Sequence, residues 1–455
     1  MKNCSSPDRR SFLKLLGTAG LVAPFISRHA LAAPPSRVLR HASFGTANMA
    51  LADIKAICFN EFVQLVAVAD VDLNQAAEVK ARFPEARIYQ DWRELLDKEH
   101  KNLDSVNVST PDHTHAPMAL AAMQLGKHVY CQKPLTHSLH ETRVLTEYAR
   151  QHRLVTQMGI QVHSHKFYRQ GVALIQSGAI GQVKEVHLWC SKKWGDLGAP
   201  PAPTATPPAG FNWDLWLAGC ADRPYVGNNY YHTLNWRKRL DFGTGTFGDM
   251  GCHIYDPVFE ALELTAPISV RSEGPAPDRW NWAVNAKIRY VFPGTRYTEG
   301  KTVALTWYDG DQLPPADIRA LVPVEQDANA KKKRQGGFPS SGSIVIGTKG
   351  VMLLPHYATP RLFPVAQFKD FALPPVVSAD HWTQWAKACT GEGKTTTNFD
   401  YSGPLTEAVL LGSVAVRFPQ TTLEWNSGKL AFDNVKEANA FVRRTYRKGW
   451  EVTGL

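Results

Sequence analysis

The sequence predicts an α/β protein with two domains: an N-terminal doubly wound parallel sheet and a C-terminal α/β domain with an open, largely antiparallel sheet. Two observations support this prediction. Between residues 36 and 158, short β-branched runs alternate with helical patterns, which is typical of a parallel sheet covered by helices on both faces. From residue 159 to residue 455 the apolar segments are longer and alternate with polar residues, which is typical of antiparallel strands, and the chain ends in helical patterns.

Residues 1–32 have the features of an export signal. Arg9 and Arg10 precede a short apolar run, and the stretch ends in the triplet ALA. A basic region, an apolar core and a small-residue cleavage site are typical of a secretory signal, and RRSFLK is typical of its twin-arginine form. The apolar run is about 12 residues long, shorter than the ~20 that a membrane span requires. We therefore expect export by the twin-arginine machinery, a periplasmic location, and no membrane anchor after cleavage.

Charge and cysteine content argue against several classes of function. The formal net charge is +10, and part of it lies in the signal and in the basic run at 331–334, which is typical of a solvated loop. No basic face with interleaved aromatic residues stands out, so no nucleic-acid partner is expected. The cysteines after the signal are widely spaced and form no Cys-x-x-Cys pair, so neither a zinc site nor a redox dithiol is predicted. Whether any of them form disulfides stays open.

A degenerate phosphate-binding turn follows the first predicted strand. In FGTANMA, Gly45, Ala47 and Ala50 occupy the three glycine positions of G-x-G-x-x-G. Those glycines allow a tight turn, the approach of a pyrophosphate to the backbone, and close packing of helix on strand. The two alanines weaken the motif, but the amino end of the following helix can still face a phosphate.

Residues at later strand ends strengthen the prediction of a nicotinamide dinucleotide. Asp70 ends the strand LVAVAD, where a carboxylate would accept hydrogen bonds from ribose hydroxyls, although a helix cap explains it equally well. No arginine follows it, which favours NAD over NADP. The strand ending in STPDHTH would run under the nicotinamide, and its two histidines lack a third ligand, so no metal is predicted. The predicted cofactor contacts are Gly45, Thr46, Ala47, Asn48, Met49, Asp70, Ser109, Thr110, Pro111, His113 and His115.

The stretch GKHVYCQKPLTHS resembles the Glu-Lys-Pro signature of the Gfo/Idh/MocA family, which includes the glucose-fructose oxidoreductase and inositol dehydrogenase relatives. Other stretches look like the twin-arginine-exported branch of that family: STPDHTHA, QMGIQVHS, FNWDLWLAG, NWRKRLDFGTG, GDMGCHIYDP, FDYSGPLTEAVLLG and EANAFVRRTYRKGWE. The resemblance implies an NAD-binding Rossmann domain at 36–158 and a substrate-binding domain at 159–455. It also implies a homo-oligomer formed through the antiparallel sheet.

The same resemblance assigns the catalytic residues. Lys133 matches the family's active-site lysine, and Asp249 and His253 match its D-x-x-x-H motif. Hydride leaves a carbinol carbon only as the hydroxyl proton departs, and a neutral histidine suits that proton transfer. We expect His253 to be the general acid and base, and Asp249 its partner or a hydroxyl acceptor. Lys133 would be a cation that polarises the reacting oxygen and also contacts the cofactor, at the nicotinamide. Without the resemblance, a helix cap at 249 and a core histidine at 253 would be the preferred interpretation.

Three residues depart from the family pattern. Gln132 stands in place of a glutamate; its amide can still bind a ribose hydroxyl but removes a negative charge beside Lys133. Gln161, an expected cofactor contact, and His163, an expected substrate contact, partly alter the floor of the site. Together with the lost glycines, these differences bear on the affinity for NAD rather than on the fold.

The aromatic stretch between residues 195 and 248 predicts a carbohydrate or polyol site. Aromatic rings stack on the C–H faces of sugars while polar groups bind the hydroxyl rim, although several of these rings would simply pack a long loop. The predicted substrate contacts are His163, Trp213, Tyr231, His232, Trp236, Arg237, Asp249 and His253.

The leading prediction is an exported oxidoreductase that transfers hydride between NAD and a CH–OH group of a carbohydrate or cyclitol. The twin-arginine route carries folded proteins, which agrees with a tightly bound cofactor. One alternative is a redox-neutral glycoside hydrolase or lyase, with Tyr231 or His232 as an additional base. The other is a carbohydrate-binding relative without catalysis, motivated by the lost glycines and Gln132.

Overall fold

The computed structural model describes residues 38–203, 205–323 and 338–455. The predicted signal at 1–32 and the basic run at 331–334 lie outside these ranges. Within them, no helix is both long and apolar enough to cross a membrane. The cysteines in the same ranges are free thiols without a disulfide between them.

Residues 39–159 form the predicted parallel sheet. Its six strands lie in the order β3-β2-β1-β4-β5-β6, and every neighbouring pair is parallel. The strands are β1 (Leu39–Phe44), β2 (Val63–Ala69), β3 (Arg87–Tyr89), β4 (Ser105–Val108), β5 (His128–Gln132) and β6 (Thr156–Gly159). The chain order reverses between β1 and β4, and ligands of open α/β sheets bind at the carboxyl ends of strands at such a point. The predicted fold class is confirmed here.

Helices cover both faces of this sheet. They are α1 (Met49–Ile57), α2 (Ala77–Arg82), α3 (Trp92–Glu99), α4 (Asp112–Gln124) and α5 (Leu139–His152). Helix α5 begins where the sequence predicts, because Ser138 and Glu141 form a reciprocal capping box. Helix α4 begins earlier than its apolar pattern suggests, inside STPDHTH. That early start determines where the two histidines of this segment point.

The second sheet has nine strands in the order β13-β12-β11-β7-β10-β9-β8-β14-β15. The pair β7 and β10 is parallel and the other described pairs are antiparallel, which confirms the open, largely antiparallel sheet. The strands are β7 (Val183–Cys190), β8 (Ser269–Ser272), β9 (Lys287–Pro293), β10 (Thr302–Asp309), β11 (Ser341–Gly347), β12 (Val351–Pro355), β13 (Arg361–Phe363), β14 (Thr422–Asn426) and β15 (Ala431–Phe432).

A buried helix carries the site into the centre of the molecule. The helices after the first sheet are α6 (Lys166–Gln176), α7 (Trp213–Leu217), α8 (Gly245–Ala261), α9 (Ala316–Ala320), α10 (His381–Cys389) and α11 (Phe399–Ala415). Helix α8 packs against α6, α11 and β7, and nearly all of its side chains are buried. Polar residues on α8 therefore face either the core or an internal cavity.

The last of the helical patterns at the end of the chain, NVKEANAFVRRTYR at residues 434–447, does not form the expected helix. The structure has only a short 3₁₀ turn at Lys436–Phe441, followed by irregular chain. The side chain of Asn439 exchanges two hydrogen bonds with the backbone of Phe432, and Arg444 donates to a backbone carbonyl at the start of α4. These tertiary hydrogen bonds outweigh local helix propensity and tie the end of the chain to the first domain.

Candidate active site

A cavity of about 760 Å³ lies where the strand ends of the parallel sheet face helix α8. One wall consists of the residues that follow β1, β2, β4, β5 and β6. The opposite wall consists of α8, the chain after β7, residues 232–237, and the segments beside β11 and β12. Its volume lies within the range of roughly 300–1,000 Å³ that is typical of small-molecule sites.

Most of the predicted site residues line this cavity. They come from separate parts of both domains, and the fold brings them together. They are Gly45, Thr46, Ala47, Asn48, Met49, Asp70, Ser109, Thr110, Pro111, Gln132, Lys133, Gln161, His232, Trp236, Arg237, Asp249 and His253.

The two histidines of STPDHTH do not line the cavity, which corrects their predicted position. Both lie on α4, and the helical turn directs their side chains into the core. The Nε2 atom of His113 lies 2.9 Å from the carbonyl oxygen of Trp216. Both ring nitrogens of His115 lie 2.8 Å from carbonyl oxygens, those of Thr110 and Pro134. These histidines position loops around the site rather than contact a ligand in it.

Three predicted substrate contacts also lie outside the cavity. His163 is buried, and its Nδ1 atom lies 2.9 Å from an Asp256 carboxylate oxygen. Trp213 and Tyr231 pack with Trp216 in an aromatic cluster, with the two tryptophan ring centroids 4.9 Å apart. Burial of large aromatic surfaces explains their position, as expected for part of a long loop.

The turn after β1 retains the geometry of a phosphate site despite its alanines. Gly45 has φ +97°, and a Cβ atom there would lie 2.7 Å from the carbonyl oxygen of Ser109, so this position requires glycine. Ala50 is buried, whereas Ala47 is half-buried at the cavity. The Asn48 side chain does not cap α1, and the first helical turn has no acidic residue. The positive end of the helix dipole thus faces the cavity without a side-chain acceptor, which fits a pyrophosphate.

Asp70 holds this turn in place as well as bordering the cavity. Its carboxylate accepts hydrogen bonds from the backbone N–H and the hydroxyl of Thr46, at 2.9 and 2.7 Å. It also accepts one from the backbone N–H of Asp72 at 3.0 Å. Burial raises the pKa of Asp70, and these hydrogen bonds oppose the shift. The carboxylate is therefore fixed at the carboxyl end of β2.

A buried carboxylate behind Gln132 explains the amide at this position. Asp53 is fully buried and accepts hydrogen bonds from Gln132 Nε2 at 2.9 Å, Ser109 Oγ at 2.7 Å and Trp382 Nε1 at 2.8 Å. Burial raises the pKa of Asp53 to about 6, against the effect of these donors. A glutamate at position 132 would have no N–H to donate. Asp53 was not predicted as a site residue, since its only signal is a carboxylate within the apolar pattern MALADIKAI.

Asp249 lies among four donors at the centre of the cavity wall. Lys133 Nζ is 2.5 Å from Oδ1, and Trp194 Nε1 is 2.9 Å from Oδ2. Lys192 Nζ and Arg237 Nε follow at 3.3 Å. Burial alone would raise the pKa of Asp249, but the three cations hold it well below its usual range. Asp249 is therefore a partner of Lys133, whereas the sequence predicted a partner of His253 or a hydroxyl acceptor.

His253 lies one helical turn after Asp249 and also lines the cavity. Burial lowers its pKa well below the usual value, and the nearby Lys133 and His356 lower it further. Its Nδ1 atom is buried and has no hydrogen-bond partner in the described part of the chain. The imidazole is consequently neutral at pH 7.

Aromatic rings frame the cationic end of the cavity. The Arg237 guanidinium lies 4.3 Å from the centre of the Trp236 ring and 5.5 Å from that of Trp194. Trp194 and Lys192 come from SKKWGD, directly after β7, and Lys192 was not predicted as a site residue. No group of three His, Cys, Asp or Glu side chains that could hold a metal is found in residues 38–203, 205–323 and 338–455.

Two models of one protein family match this chain. The model described as "Oxidoreductase family, NAD-binding Rossmann fold" matches residues 39–160, and the model of the family's C-terminal alpha/beta domain matches residues 177–313. The chain belongs to the Gfo/Idh/MocA family of oxidoreductases. The first match covers the whole parallel sheet, and the second covers strands β7 to β10 of the other sheet of this Gfo/Idh/MocA protein.

Individual relatives of this Gfo/Idh/MocA chain differ in activity. Levoglucosan dehydrogenase from Pseudarthrobacter phenanthrenivorans is 24% identical over 191 residues, 42% of this chain and 40% of that protein. Alpha-N-acetylgalactosaminidase from Shewanella oneidensis is 32% identical over 161 residues, 29% of this chain and 35% of that protein. The chain thus spans less than half the length of either curated relative.

Solved structures show the same fold. The WlbA dehydrogenase from Bordetella pertussis, in complex with NADH and UDP-GlcNAcA, superposes with a TM-score of 0.59 at 13% identity. The match covers 86% of this chain and 99% of that one. GenD2 from gentamicin A biosynthesis, in complex with NAD, gives a TM-score of 0.56 at 15% identity over 90% of this chain and all of that one.

Replacing the amide at position 132 by glutamate should destabilise the protein increasingly as the pH rises. The Gln132→Glu change would place a second carboxylate beside Asp53, and two such groups raise one another's pKa. An acid whose pKa is raised on folding loses its stabilising contribution as the pH rises through the raised pKa. The free energy of unfolding of Gln132→Glu should therefore fall further below that of wild type between about pH 6 and 8, by on the order of 2 kcal/mol. Thermal denaturation of Gln132→Glu and wild type across this range measures it.

The double variant Asp53→Asn with Gln132→Glu is the matched control. The amide introduced at position 53 would donate to the carboxylate introduced at position 132, so most of the stability should return. An equal, pH-independent loss in the single and double variants would contradict the interaction.

His253 should stay neutral across the range in which an ordinary histidine titrates. In protein labelled with ¹³C-histidine, its resonance, assigned by its loss in His253→Gln, should titrate with a midpoint well below the ordinary histidine value of about 6.5. Lys192→Met removes one of the charges that lower the pKa, so the midpoint should move upward, while Lys193→Met, whose lysine pairs with Asp311 at the surface, should leave it unchanged. A wild-type midpoint near the ordinary histidine value of about 6.5 would refute this account.

Proposed function

We propose that this protein is an exported, NAD-dependent oxidoreductase that transfers hydride between a tightly bound NAD and a CH–OH group of a carbohydrate or cyclitol. One observation carries the proposal. A single cavity connects the phosphate turn at Gly45 with Lys133, Asp249 and a neutral His253. The first part suits a dinucleotide, and the second suits the transfer of a proton from a hydroxyl group.

The residues present fit NAD. The amino end of α1 and the turn at Gly45 would face its pyrophosphate, and Asp70 would face a ribose. The lysine and arginine side chains on the described cavity wall all contact Asp249, and none of them forms an ion pair with Asp70. No lysine or arginine of the described cavity wall therefore lies beside Asp70 to bind the 2′-phosphate of NADP. This arrangement favours NAD. A bound nicotinamide would supply the hydride acceptor.

The residues of the chain would handle the proton and the oxygen. Neutral His253 would take the hydroxyl proton, leaving the C–O bond as a carbonyl when hydride departs. Lys133 would stabilise negative charge on the reacting oxygen, and Asp249 holds its ammonium group in position. Because the pKa of His253 is low, the imidazolium would release its proton readily or return it in the reverse reaction.

Trp194, Trp236 and Arg237 support a sugar or cyclitol as the substrate. Both rings border the cavity beside the catalytic lysine's partner, Asp249. Aromatic faces can cover the C–H face of a ring while charged and polar groups bind its hydroxyls. Export rests on the twin-arginine pattern of residues 1–32, and we further propose a homo-oligomer formed through the antiparallel sheet.

A redox-neutral glycoside hydrolase or lyase is the second candidate. His232 lines the same cavity, and its Nε2 atom has no aligned hydrogen bond in the described chain, although it lies 3.4 Å from an Asp72 carboxylate oxygen. It could therefore act as the additional base that such an elimination needs. Tyr231 does not suit this role because its ring is buried in the aromatic cluster.

Lys133→Ala and His253→Ala should each lower kcat/KM for sugar or cyclitol oxidation by about 10²–10⁴-fold, because each removes a group that acts on the reacting hydroxyl. Lys193→Ala and His152→Ala, at surface positions, are matched controls that should retain activity. NADH formation with a panel of sugars and cyclitols measures the rates, and thermal denaturation checks folding.

Full turnover in both site variants would contradict the assignment. Cleavage of a glycoside without net NADH would favour the second candidate, and sugar binding without any turnover would favour a non-catalytic relative.

A further inference from the structure

A second cavity of about 420 Å³ shares no lining residue with the first. It lies between the loop that leads into α5, the chain before α8, the end of α11, and the irregular C-terminal segment. The loop is the one that carries Lys133, but it is His137 and Ser138 that face this cavity. The catalytic and cofactor residues described above leave this cavity unexplained.

The charged residues around this cavity are mostly cations. Arg279, Arg417, Arg443 and Arg444 line it, whereas Asp241 is the carboxylate among the described lining residues. Asp241 already forms an ion pair with Arg223, which does not line the cavity. Arg444 donates a hydrogen bond to the backbone carbonyl of His113 on α4, which orients its guanidinium. The cavity therefore carries an excess of positive charge.

Arg279 and Arg417 are the two lining arginines without an ion pair or side-chain hydrogen bond in the described chain, and Arg417 is the less exposed of the two. Its guanidinium lies 4.5 Å from the centre of the Phe441 ring and 5.0 Å from that of Trp282, so aromatic faces hold it in place. In the described ranges no carboxylate lies within 4.0 Å of it, and its guanidinium forms no hydrogen bond within them. Burial lowers the pKa of Arg417 to about 10, with Asp241 opposing weakly. A buried charge without a partner is unfavourable, and an anion would remove that cost.

A buried hydroxyl group at the same cavity is also unsatisfied. Ser413 lies on α11, one helical turn before Arg417, and only 9% of it is exposed. Its Oγ atom has no hydrogen-bond partner in the part of the chain that the structure describes. A hydroxyl donor and a guanidinium at one cavity wall are the groups that bind phosphate or carboxylate oxygens.

We propose that this cavity binds a small organic anion through a phosphate or carboxylate group, with Arg417 as the principal cation and Ser413 as a further donor. The cavity has the volume of a compact metabolite, at the lower end of the typical range of roughly 300–1,000 Å³. Leu139, Leu240 and Val414 line the remaining wall and would face the uncharged part of the ligand. A sugar phosphate or a sugar acid has this chemistry, and the site does not depend on the function proposed for the first cavity.

Calorimetric titration of the purified full-length protein with four probes tests the proposal: glucose 6-phosphate, gluconate, inorganic phosphate and glucose. At least one organic anion should bind with an affinity that depends on Arg417, whereas any binding of glucose, a ligand of the class proposed for the first cavity, should not depend on it. Comparison of the two organic anions identifies the preferred head group. Arg417→Gln should weaken binding about tenfold or more, since hydrogen bonds to charged groups contribute about 1.5–3 kcal/mol. Ser413→Ala should weaken it several-fold. Arg296→Gln removes an equal charge from an exposed ion pair elsewhere and should not change it.

Two outcomes would overturn the proposal. One is that no anion binds the wild-type protein. The other is that anion binding survives in Arg417→Gln and disappears in Lys192→Met, which would place the anion in the first cavity. If Arg417→Gln fails to fold, Arg417→Lys retains the charge without the planar fork. Unchanged affinity in both Arg417→Lys and Ser413→Ala would then count against the site.

Discussion

The buried ion pair between Lys133 and Asp249 is the interaction on which the site depends. Lys133 directly follows β5 of the parallel sheet, whereas Asp249 lies on α8 of the other domain, 116 residues later. Because both side chains are largely buried, removal of either would leave an uncompensated charge in the interior. The same lysine charge helps keep His253 neutral. One contact thus links the two domains at the cavity, positions the cation and contributes, after burial, to the neutral state of His253.

Two patterns were sufficient to predict the two sheets: alternating strands and helices for the parallel sheet, and apolar–polar alternation along longer segments for the antiparallel one. Lys133, Asp249 and His253 were predicted as catalytic residues by resemblance, from GKHVYCQKPLTHS and GDMGCHIYDP, and the structure brings the three side chains to one cavity. The directions of individual side chains were harder to predict from the sequence. His113 and His115 were expected at the cofactor because the start of α4 is not evident in a polar segment, and helical rotation turns them into the core.

Other features depend on contacts between distant parts of the chain. Gln132 lacks the negative charge of the glutamate that the family pattern has at this position. Asp53 on α1 places a carboxylate beside it. The C-terminal segment has a helical pattern, yet long-range hydrogen bonds keep it irregular and make it one wall of the second cavity. Neither set of hydrogen bonds could be predicted from local sequence, because the donor and the acceptor are far apart along the chain.

The central claim is that the turn with two alanines still holds NAD. The most direct measurement is the nucleotide content of the protein purified after native export, released by denaturation and quantified by mass spectrometry. The structure retains the required glycine at position 45 and an α1 amino end without a side-chain cap, so we expect close to one NAD per chain. Protein that contains no nicotinamide nucleotide, and takes up none when NAD is added, would contradict the claim.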